Sequence, residues 1–247
     1  MPVRRELKAI ASQLLGRHRN LNSDKKQLID FARERLNMTS FADLGGVWGV
    51  DGGYSFYAMD HDTIKNGVLV DIDFTPAVLS RQKNNPRLKI IHGNFGDPSV
   101  VERIGKVDAA FFFDTLLHQV NPNWDAVLQM YAGVARIFLI YNPQYVNLRT
   151  TTRLLDLGLD EYARNVPHPI TEEPYKTHLR DLDAIHPQWQ RPYRDIPDIW
   201  QWGITDNDLI ARMNSMGFAM QFYKNCGQFE HLRHVENHAF AFSKLEL

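Results

Sequence analysis

Phe41-Ala42-Asp43-Leu44-Gly45-Gly46-Val47-Trp48-Gly49-Val50 is a short apolar run that ends in an acid and passes directly into a glycine-rich turn. Glycines let the backbone approach a ligand closely, and a helix starting after such a turn offers N–H groups without intrahelical partners. Similar apolar runs recur along the chain, at Ser40–Leu44, Val68–Ile72, Leu88–His92, Asp108–Phe113 and Ala135–Tyr141, separated by amphipathic stretches of helical length. This rhythm predicts a mostly parallel sheet covered by helices on both faces. Further on, a helix is expected over Asp206–Ser215, stopped at Gly217, followed by strands at Phe218–Tyr223 and His238–Ser243. Two strands joined by one loop must pair antiparallel if they are neighbours. The expected fold is therefore α/β, a doubly wound, mostly parallel seven-stranded sheet with an antiparallel last strand.

Two flanking regions lie outside that rhythm. The first, residues 1–37, predicts a helix over 4 to 19 with Leu7, Ile10, Ala11, Leu14 and Leu15 as its apolar stripe, and a second from an N-cap at Ser23 to about Leu36. The second, residues 146–203, holds six prolines (Pro167, Pro169, Pro174, Pro187, Pro192, Pro197) among many Tyr, Trp, His and Arg residues, and reads as an inserted cap or long functional loop. The main domain is then assembled from 38–145 and 204–247.

Composition narrows the function. With 247 residues, 44% of them hydrophobic, the chain can bury a sizeable core, and disorder is excluded. Lys plus Arg numbers 28 against 29 Asp plus Glu, so no overall field draws the protein to nucleic acid or an anionic membrane. Cys226 is the only cysteine, which rules out an intramolecular disulfide and suits a reducing compartment. No apolar stretch approaches a membrane span and the N-terminus lacks a cleavage pattern. The expectation is a cytoplasmic protein with a small-molecule substrate, no nucleic-acid or membrane partner, and scope for a homodimer through its N-terminal helix or its aromatic extension.

Four signals fall just past carboxyl ends of expected strands, where open α/β sheets bind ligands. They are the glycine turn after Asp43, the acid pair Asp71-Ile72-Asp73, the run His92-Gly93-Asn94-Phe95-Gly96-Asp97, and Asp114-Thr115-Leu116-Leu117-His118. Singly each has an ordinary structural reading, as a tight connection, a helix cap, or a turn. Their joint order resembles the class I S-adenosylmethionine-dependent methyltransferases, over about residues 38 to 145 plus the closing hairpin. In that resemblance Asp43, Gly45 and Gly49 match the family's first motif, with Val47 standing where its middle glycine usually does and Gly46 beside it. Asp71, with Ile72 after it, matches the ribose-binding acid, Asn94-Phe95 the pair beside the adenine, and Asp114 to His118 the motif near the transferable methyl. The resemblance implies a Rossmann-like methyltransferase fold, S-adenosyl-L-methionine as cofactor, and methyl transfer to a small molecule, with a sugar or glycan precursor or a non-catalytic cofactor-binding role as alternatives.

NAD(P) fits less well, because its pyrophosphate needs Gly-x-Gly-x-x-Gly and would be repelled by Asp43. His118 is the candidate for proton removal or substrate orientation, set against the structural role that a Leu-Leu-His-Gln helix start often gives such a histidine. Tyr141 and Asn142 at the end of the fifth strand, and Trp189 and Trp200 in the insertion, are candidates for the acceptor pocket. The insertion's His168, His178, His186, Arg180, Arg191 and Arg194 suit an anionic, aromatic or sugar-like acceptor, or else pack on themselves. Asn142-Pro143-Gln144-Tyr145 looks like the Asn-Pro-Pro-Tyr motif of nitrogen methyltransferases, but follows the wrong strand and is set aside. His231, His234 and His238 have a spacing that a metal can use on a helix, yet they fall between strands, so no metal is expected.

Overall fold

The computed structural model describes residues 21–245, so the helix expected over 4 to 19 lies outside the described residues. Helix α1 (Ser23–Arg35) is capped by Asn22, one residue earlier than expected, whose side chain accepts from the amides of Asp24 and Lys25 at 2.8 and 3.1 Å. There follow β1 (Ser40–Leu44), α2 (Gly53–Met59), β2 (Asn66–Asp71), α3 (Pro76–Lys83), β3 (Leu88–His92), α4 (Pro98–Ile104), β4 (Val107–Phe113), a 3-10 turn at Leu116–His118, α5 (Trp124–Tyr131) and β5 (Ala135–Tyr145). The insertion holds the short ribbon of β6 (Thr152–Arg153) and β7 (Trp202–Gly203), with α6 (Leu159–Asn165) and α7 (Tyr175–Arg180) between them. Helix α8 (Asp206–Ser215), β8 (Phe218–Phe229) and β9 (Leu232–Lys244) complete the described chain.

Seven strands form one sheet in the order β3-β2-β1-β4-β5-β9-β8. Neighbours from β3 to β5 pair in parallel, while β9 runs antiparallel to both β5 and β8. The order turns back between β1 and β4, so the connections after these strands part there and leave a crevice at their carboxyl ends. Leu28, Ile29 and Ala32 of α1 cover one face of the sheet together with α2 and α3, packing on Phe41, Leu69, Phe111 and Leu139. The other face, with Leu44, Val70, Phe112, Ile140 and Phe240, is closed by α4, α5 and α8. A third cluster belongs to the insertion and includes Leu154, Tyr162, Ile199 and Trp200, but it also takes in Leu117, Tyr145, Leu232 and Val235 from the main domain.

The last three strands are longer than expected. Beyond Tyr141, β5 continues through Asn142↔His238 to Tyr145↔Val235, a register in which Pro143 is accommodated because β4 has already ended at Phe113. Residues 224–237, expected to be a loop, are mostly the two arms of a bulged hairpin. His231, His234 and His238 consequently lie in or beside a strand, and among the described residues no group of three metal-ligating side chains is placed to hold an ion. His238 is buried and instead bonds the carboxylates of Asp206 at 2.8 Å and Glu236 at 3.2 Å. Burial alone lowers its pKa, but the two acids outweigh that effect and raise it.

Gly67 in β2 marks a place where no side chain fits. A Cβ there would stand 2.4 Å from Cζ of Phe41, whose ring is stacked on Phe111 with centroids 4.8 Å apart. Gly67→Ala is expected to destabilise the protein by about 1–3 kcal/mol, the usual range for overpacking a tight core. A fall in the urea midpoint at unchanged m-value is the measurement that checks it.

Candidate functional site

Asp43 points from β1 beneath the glycine turn and is only 1% exposed. Its Oδ2 accepts from the Ser55 hydroxyl of α2 at 2.7 Å. Gly46 lies directly over this carboxylate, so closely that a Cβ there would meet all three carboxyl atoms at 2.4–2.6 Å. Gly45, with φ +80°, is equally confined, because its Cβ would stand 2.9 Å from Cγ2 of Thr115 and 3.5 Å from Phe95. Both glycines are thus required by close approach, and Gly45 and Gly49 (φ +75°) also by backbone conformation. Burial pushes the Asp43 carboxyl up from 3.8 to about 6, against the Ser55 hydrogen bond and with help from the negative charge of Asp71.

Asp71 ends β2 beside the same turn. Its Oδ2 accepts from the Val47 amide at 3.0 Å and its Oδ1 from the Ile72 amide at 2.7 Å, so the acid clasps the turn to its own strand end. Val47 is buried and takes part through its amide, a role for which a glycine is not needed. Asn94 closes a local turn, its Oδ1 accepting from the Gly96 amide at 2.9 Å. Phe95 next to it is buried edge-on to Phe112, with its carbonyl accepting from the Tyr131 hydroxyl at 2.9 Å. Asp43, the glycine turn, Asp71 and the Asn94-Phe95 pair are therefore gathered at neighbouring strand ends.

Asp114 sits just past β4 in a left-handed conformation, φ +56°, uncommon for a residue other than glycine. Its Oδ2 is ion-paired with the Lys25 ammonium, which reaches across from α1. That ammonium lies among three rings, 4.8 Å from the centroid of Tyr141, 5.3 Å from Tyr54 and 5.9 Å from Phe113. Asn22 braces the assembly, its backbone N–H donating to the Tyr54 hydroxyl at 3.0 Å and its side-chain amide to the Tyr141 hydroxyl at 3.2 Å. Lys25, Asn22 and Ser55 were all missed in the sequence. Lys25 carried one usable signal, since it falls among Leu28, Ile29 and Ala32 on the apolar face of its helix.

His118 closes the 3-10 turn after β4, and its Nδ1 lies 3.0 Å from the carbonyl oxygen of Ile199 in the insertion. A carbonyl only accepts, so Nδ1 carries the proton and Nε2 holds the basic lone pair of the neutral ring. Burial lowers the His118 pKa, outweighing the Ile199 carbonyl and the charges of Asp114 and Asp198, so the ring is neutral at physiological pH. Of the acceptor candidates, Tyr141 belongs to the cage around Lys25, and Asn142 is wholly buried beyond it. Trp189 donates its indole N–H to Asp198 at 2.9 Å, and Trp200 packs against Phe229 at 5.2 Å between centroids, so both serve the packing of the insertion. His168 is stacked on Tyr175 at 3.8 Å, and burial, with His118 and His178 nearby, lowers it to about 4. Cys226 is a poor nucleophile, its thiol pushed up to about 12 by burial and the Asp24 carboxylate.

Away from these strand ends, an open groove of about 450 Å³ runs between α5 and α8, lined by Trp124, Thr151, Trp202, Asp208 and Arg212. It shares no residue with the glycine turn or the acids around it. Among the described residues no helix is long and apolar enough to cross a membrane.

No protein-family model matches the chain, and no curated protein matches it in sequence. Solved structures do match. The N-terminal domain of EvdMO1, determined in the presence of S-adenosylhomocysteine and D-fucose, superimposes with a TM-score of 0.55 at 12% identity, covering 99% of this chain and 98% of that one. The 1,6-didemethyltoxoflavin-N1-methyltransferase of Burkholderia thailandensis, with its acceptor and S-adenosylhomocysteine bound, gives 0.56 at 12% identity, covering 100% and 92%. A Listeria monocytogenes protein described as an S-adenosylmethionine-dependent methyltransferase gives 0.55 at 14%, covering 91% and 99%. The fold is therefore that of the class I methyltransferases, Rossmann-like with an antiparallel strand added, as the strand pattern predicts.

The Asp43 carboxyl makes stability depend on pH in a defined direction. A carboxyl at 3.8 when unfolded and about 6 when folded contributes stability that is complete below pH 3.8 and is lost as pH rises through 6. Relative to Asp43→Asn, the wild type is expected to lose about 2 kcal/mol between pH 4 and pH 7, the larger part of what the full shift represents at 1.36 kcal/mol per pKa unit. Denaturant unfolding of both proteins across that range is the check, and parallel curves would contradict the buried-acid reading.

Proposed function

We propose that this chain is a methyltransferase that uses S-adenosyl-L-methionine to methylate a small molecule, with the cofactor held at the carboxyl ends of β1, β2 and β4. The observation that carries the reading is the set of three carboxylates, Asp43, Asp71 and Asp114, around a glycine turn that is pressed against Thr115 and Phe95. The turn from Gly45 to Gly53 contains no Lys or Arg, and a buried acid under Gly46 disfavours a pyrophosphate. Acids at these strand ends suit an amino group and a ribose diol. The fit extends to Asp114 Oδ1 and Thr115 Oγ1, which are shielded from solvent without a hydrogen-bond partner.

In this reading Asp43 faces the amino group of the cofactor's methionine part, Asp71 and Ile72 the ribose, and Asn94 and Phe95 the adenine. Gly45, Gly46 and Gly49 permit the close backbone approach, and Asp114 borders the methyl end. The cofactor supplies a methyl group activated on a sulfonium, and the protein's task is alignment, exclusion of water and, for an O–H or N–H acceptor, removal of a proton. His118 is suited to that removal, with Nδ1 fixed on Ile199 and Nε2 as base. Tyr141, Asn142 and the insertion with Trp189 and Trp200 border the acceptor side. A nucleic-acid acceptor is disfavoured by the near-zero net charge and by Asp181, Asp183, Asp195 and Asp198 among the arginines of the insertion.

A second reading, a cofactor-binding protein without turnover, draws on Asp71, whose two oxygens already accept backbone amides. Titration with S-adenosylmethionine, S-adenosylhomocysteine and NADH, followed by thermal shift and calorimetry, separates the possibilities. Both sulfur nucleosides are expected to stabilise the fold by about 2.7 kcal/mol at a hundred times their dissociation constants, with no response to NADH. Absence of saturable nucleoside binding would sink both readings, whereas binding without methyl transfer to a broad acceptor panel would favour the second.

Two variants probe the roles. Asp71→Asn is expected to weaken nucleoside binding about ten- to hundredfold, the worth of a charged hydrogen bond. His118→Asn is expected to lower kcat about 10²- to 10⁴-fold at unchanged nucleoside affinity. Because burial lowers the His118 pKa, the acid limb of the wild-type kcat profile should fall at a lower pH than that of an ordinary imidazole. A pH–rate profile that bends at or above pH 7 would remove His118 as the base.

A further inference from the structure

Lys25 is a buried cation that the reaction described above does not use. It is 8% exposed and stands in the first turn of α1, where a positive charge opposes the helix dipole. What holds it there comes from other elements. Its ammonium is paired with the Asp114 carboxylate and lies 4.8, 5.3 and 5.9 Å from the ring centroids of Tyr141, Tyr54 and Phe113. The same charge reaches Asp43, where it works against the rise that burial imposes on that carboxyl. Lys25 therefore answers two of the three acids at the strand ends from inside a cage of rings.

Carboxylates and electron-rich ring faces together make a place for an organic cation. A sulfur nucleoside brings one, because its methionine part carries an ammonium, and S-adenosylmethionine adds a sulfonium. The lysine and the nucleoside cannot both use these acids, since like charges a few ångströms apart repel strongly where water is scarce. Asp114 is placed for an exchange between them. Its Oδ2 takes Lys25, while its Oδ1 is shielded and has no hydrogen-bond partner among the described residues. Its left-handed backbone, φ +56°, is a strain of the kind that collects at binding sites. The Asp114 side chain is 42% exposed, so the ion pair borders solvent, and the flexible four-carbon stem of a lysine can carry the ammonium out while α1 stays in place.

We propose that Lys25 is a built-in occupant of the cofactor's cation position: its ammonium fills the ring cage beside Asp114 in the ligand-free protein and withdraws when a nucleoside with an amino-acid tail enters. Lys25 thereby sets the affinity for the cofactor by competing with it. The inference rests on the methyltransferase reading above for the identity of the entering cation.

The test compares two nucleosides on three proteins by calorimetric titration. Lys25→Met keeps the stem and removes the competing charge. If the lysine holds the cage in most molecules, this variant is expected to bind S-adenosylhomocysteine about tenfold or more tightly than the wild type, because apparent affinity falls with the fraction of open sites. 5′-Methylthioadenosine, which lacks the amino-acid tail, should bind both proteins within about twofold of each other. Lys25→Arg, which keeps the charge, should bind S-adenosylhomocysteine no more tightly than the wild type. A second readout needs no change in affinity. In wild-type protein carrying isotopically labelled lysine, the Lys25 ε-methylene signal, identified by its loss in Lys25→Arg, should be displaced upfield by the surrounding rings and return to the position of an exposed lysine on saturation with S-adenosylhomocysteine. Equal or weaker S-adenosylhomocysteine binding by Lys25→Met, an equal gain for 5′-methylthioadenosine, tighter binding by Lys25→Arg, or a Lys25 signal that stays upfield at saturation would overturn the inference and leave the cofactor reading standing. No saturable binding of either nucleoside to the wild type or to Lys25→Met would defeat the cofactor reading, and this inference with it.

Discussion

The carboxylate of Asp43, packed beneath Gly46 and answered by the Ser55 hydroxyl, is the constraint from which the rest of the strand-end arrangement follows. Burying an acid with one side-chain donor is costly, and the raised pKa of Asp43 expresses that cost. The turn can fold down over it only because position 46 has no side chain. Once folded down, the turn brings the Val47 amide to Asp71 and Gly45 against Thr115 and Phe95, so strands β1, β2 and β4 are joined at their ends through a few backbone atoms. Charge, glycine placement and the shape of the crevice are one arrangement.

The parts legible in the sequence are those whose signals are local. A strand ending in Asp43 and running into glycines can be read without a partner, and so can the α8 periodicity with its Gly217 stop. What escaped depends on residues far apart in the chain. Lys25 finds Asp114 across 89 positions; its place on the apolar face of α1 sets it apart from Lys26, which lies over the ring of Tyr57, but nothing local names the acid it will meet. The outer halves of β5, β8 and β9 also escaped, because Asn142 to Tyr145 and Asn225 to Gln228 are polar or turn-like and become strand only by pairing with one another. Tertiary pairing overrides propensity there. The same pairing draws Asn142 and Gln144 into the interior, although their composition reads as loop.

The insertion reads in sequence as an aromatic and basic surface, but much of that chemistry is consumed internally. Trp189 bonds Asp198, Trp200 meets Phe229 at the hairpin, and His168 stacks on Tyr175. Its own cluster extends onto Tyr145 of β5 and Leu232 and Val235 of β9. The insertion is therefore built onto the outer end of the β5–β9 pair, and His118, bonded to the Ile199 carbonyl, is a point where the insertion and the strand ends share a hydrogen bond. A change in the cap's packing would be felt at that imidazole before reaching the glycine turn.

Strand β9 is the last strand in the described chain, yet it lies between β5 and β8, with partners on both sides. During synthesis the sheet must wait with an open edge along β5 until the residues from Leu232 onward have emerged, while β8 has no neighbour to join. A chain interrupted before that point would lack an interior strand and would leave two unpaired edges flanked by Phe138, Ile140 and Phe218, which is an invitation to pair with another chain. The topology thus makes the order of emergence a hazard in itself: most of the fold can assemble early, but its apolar interior is sealed only once β9, which follows every other strand of the sheet, has emerged.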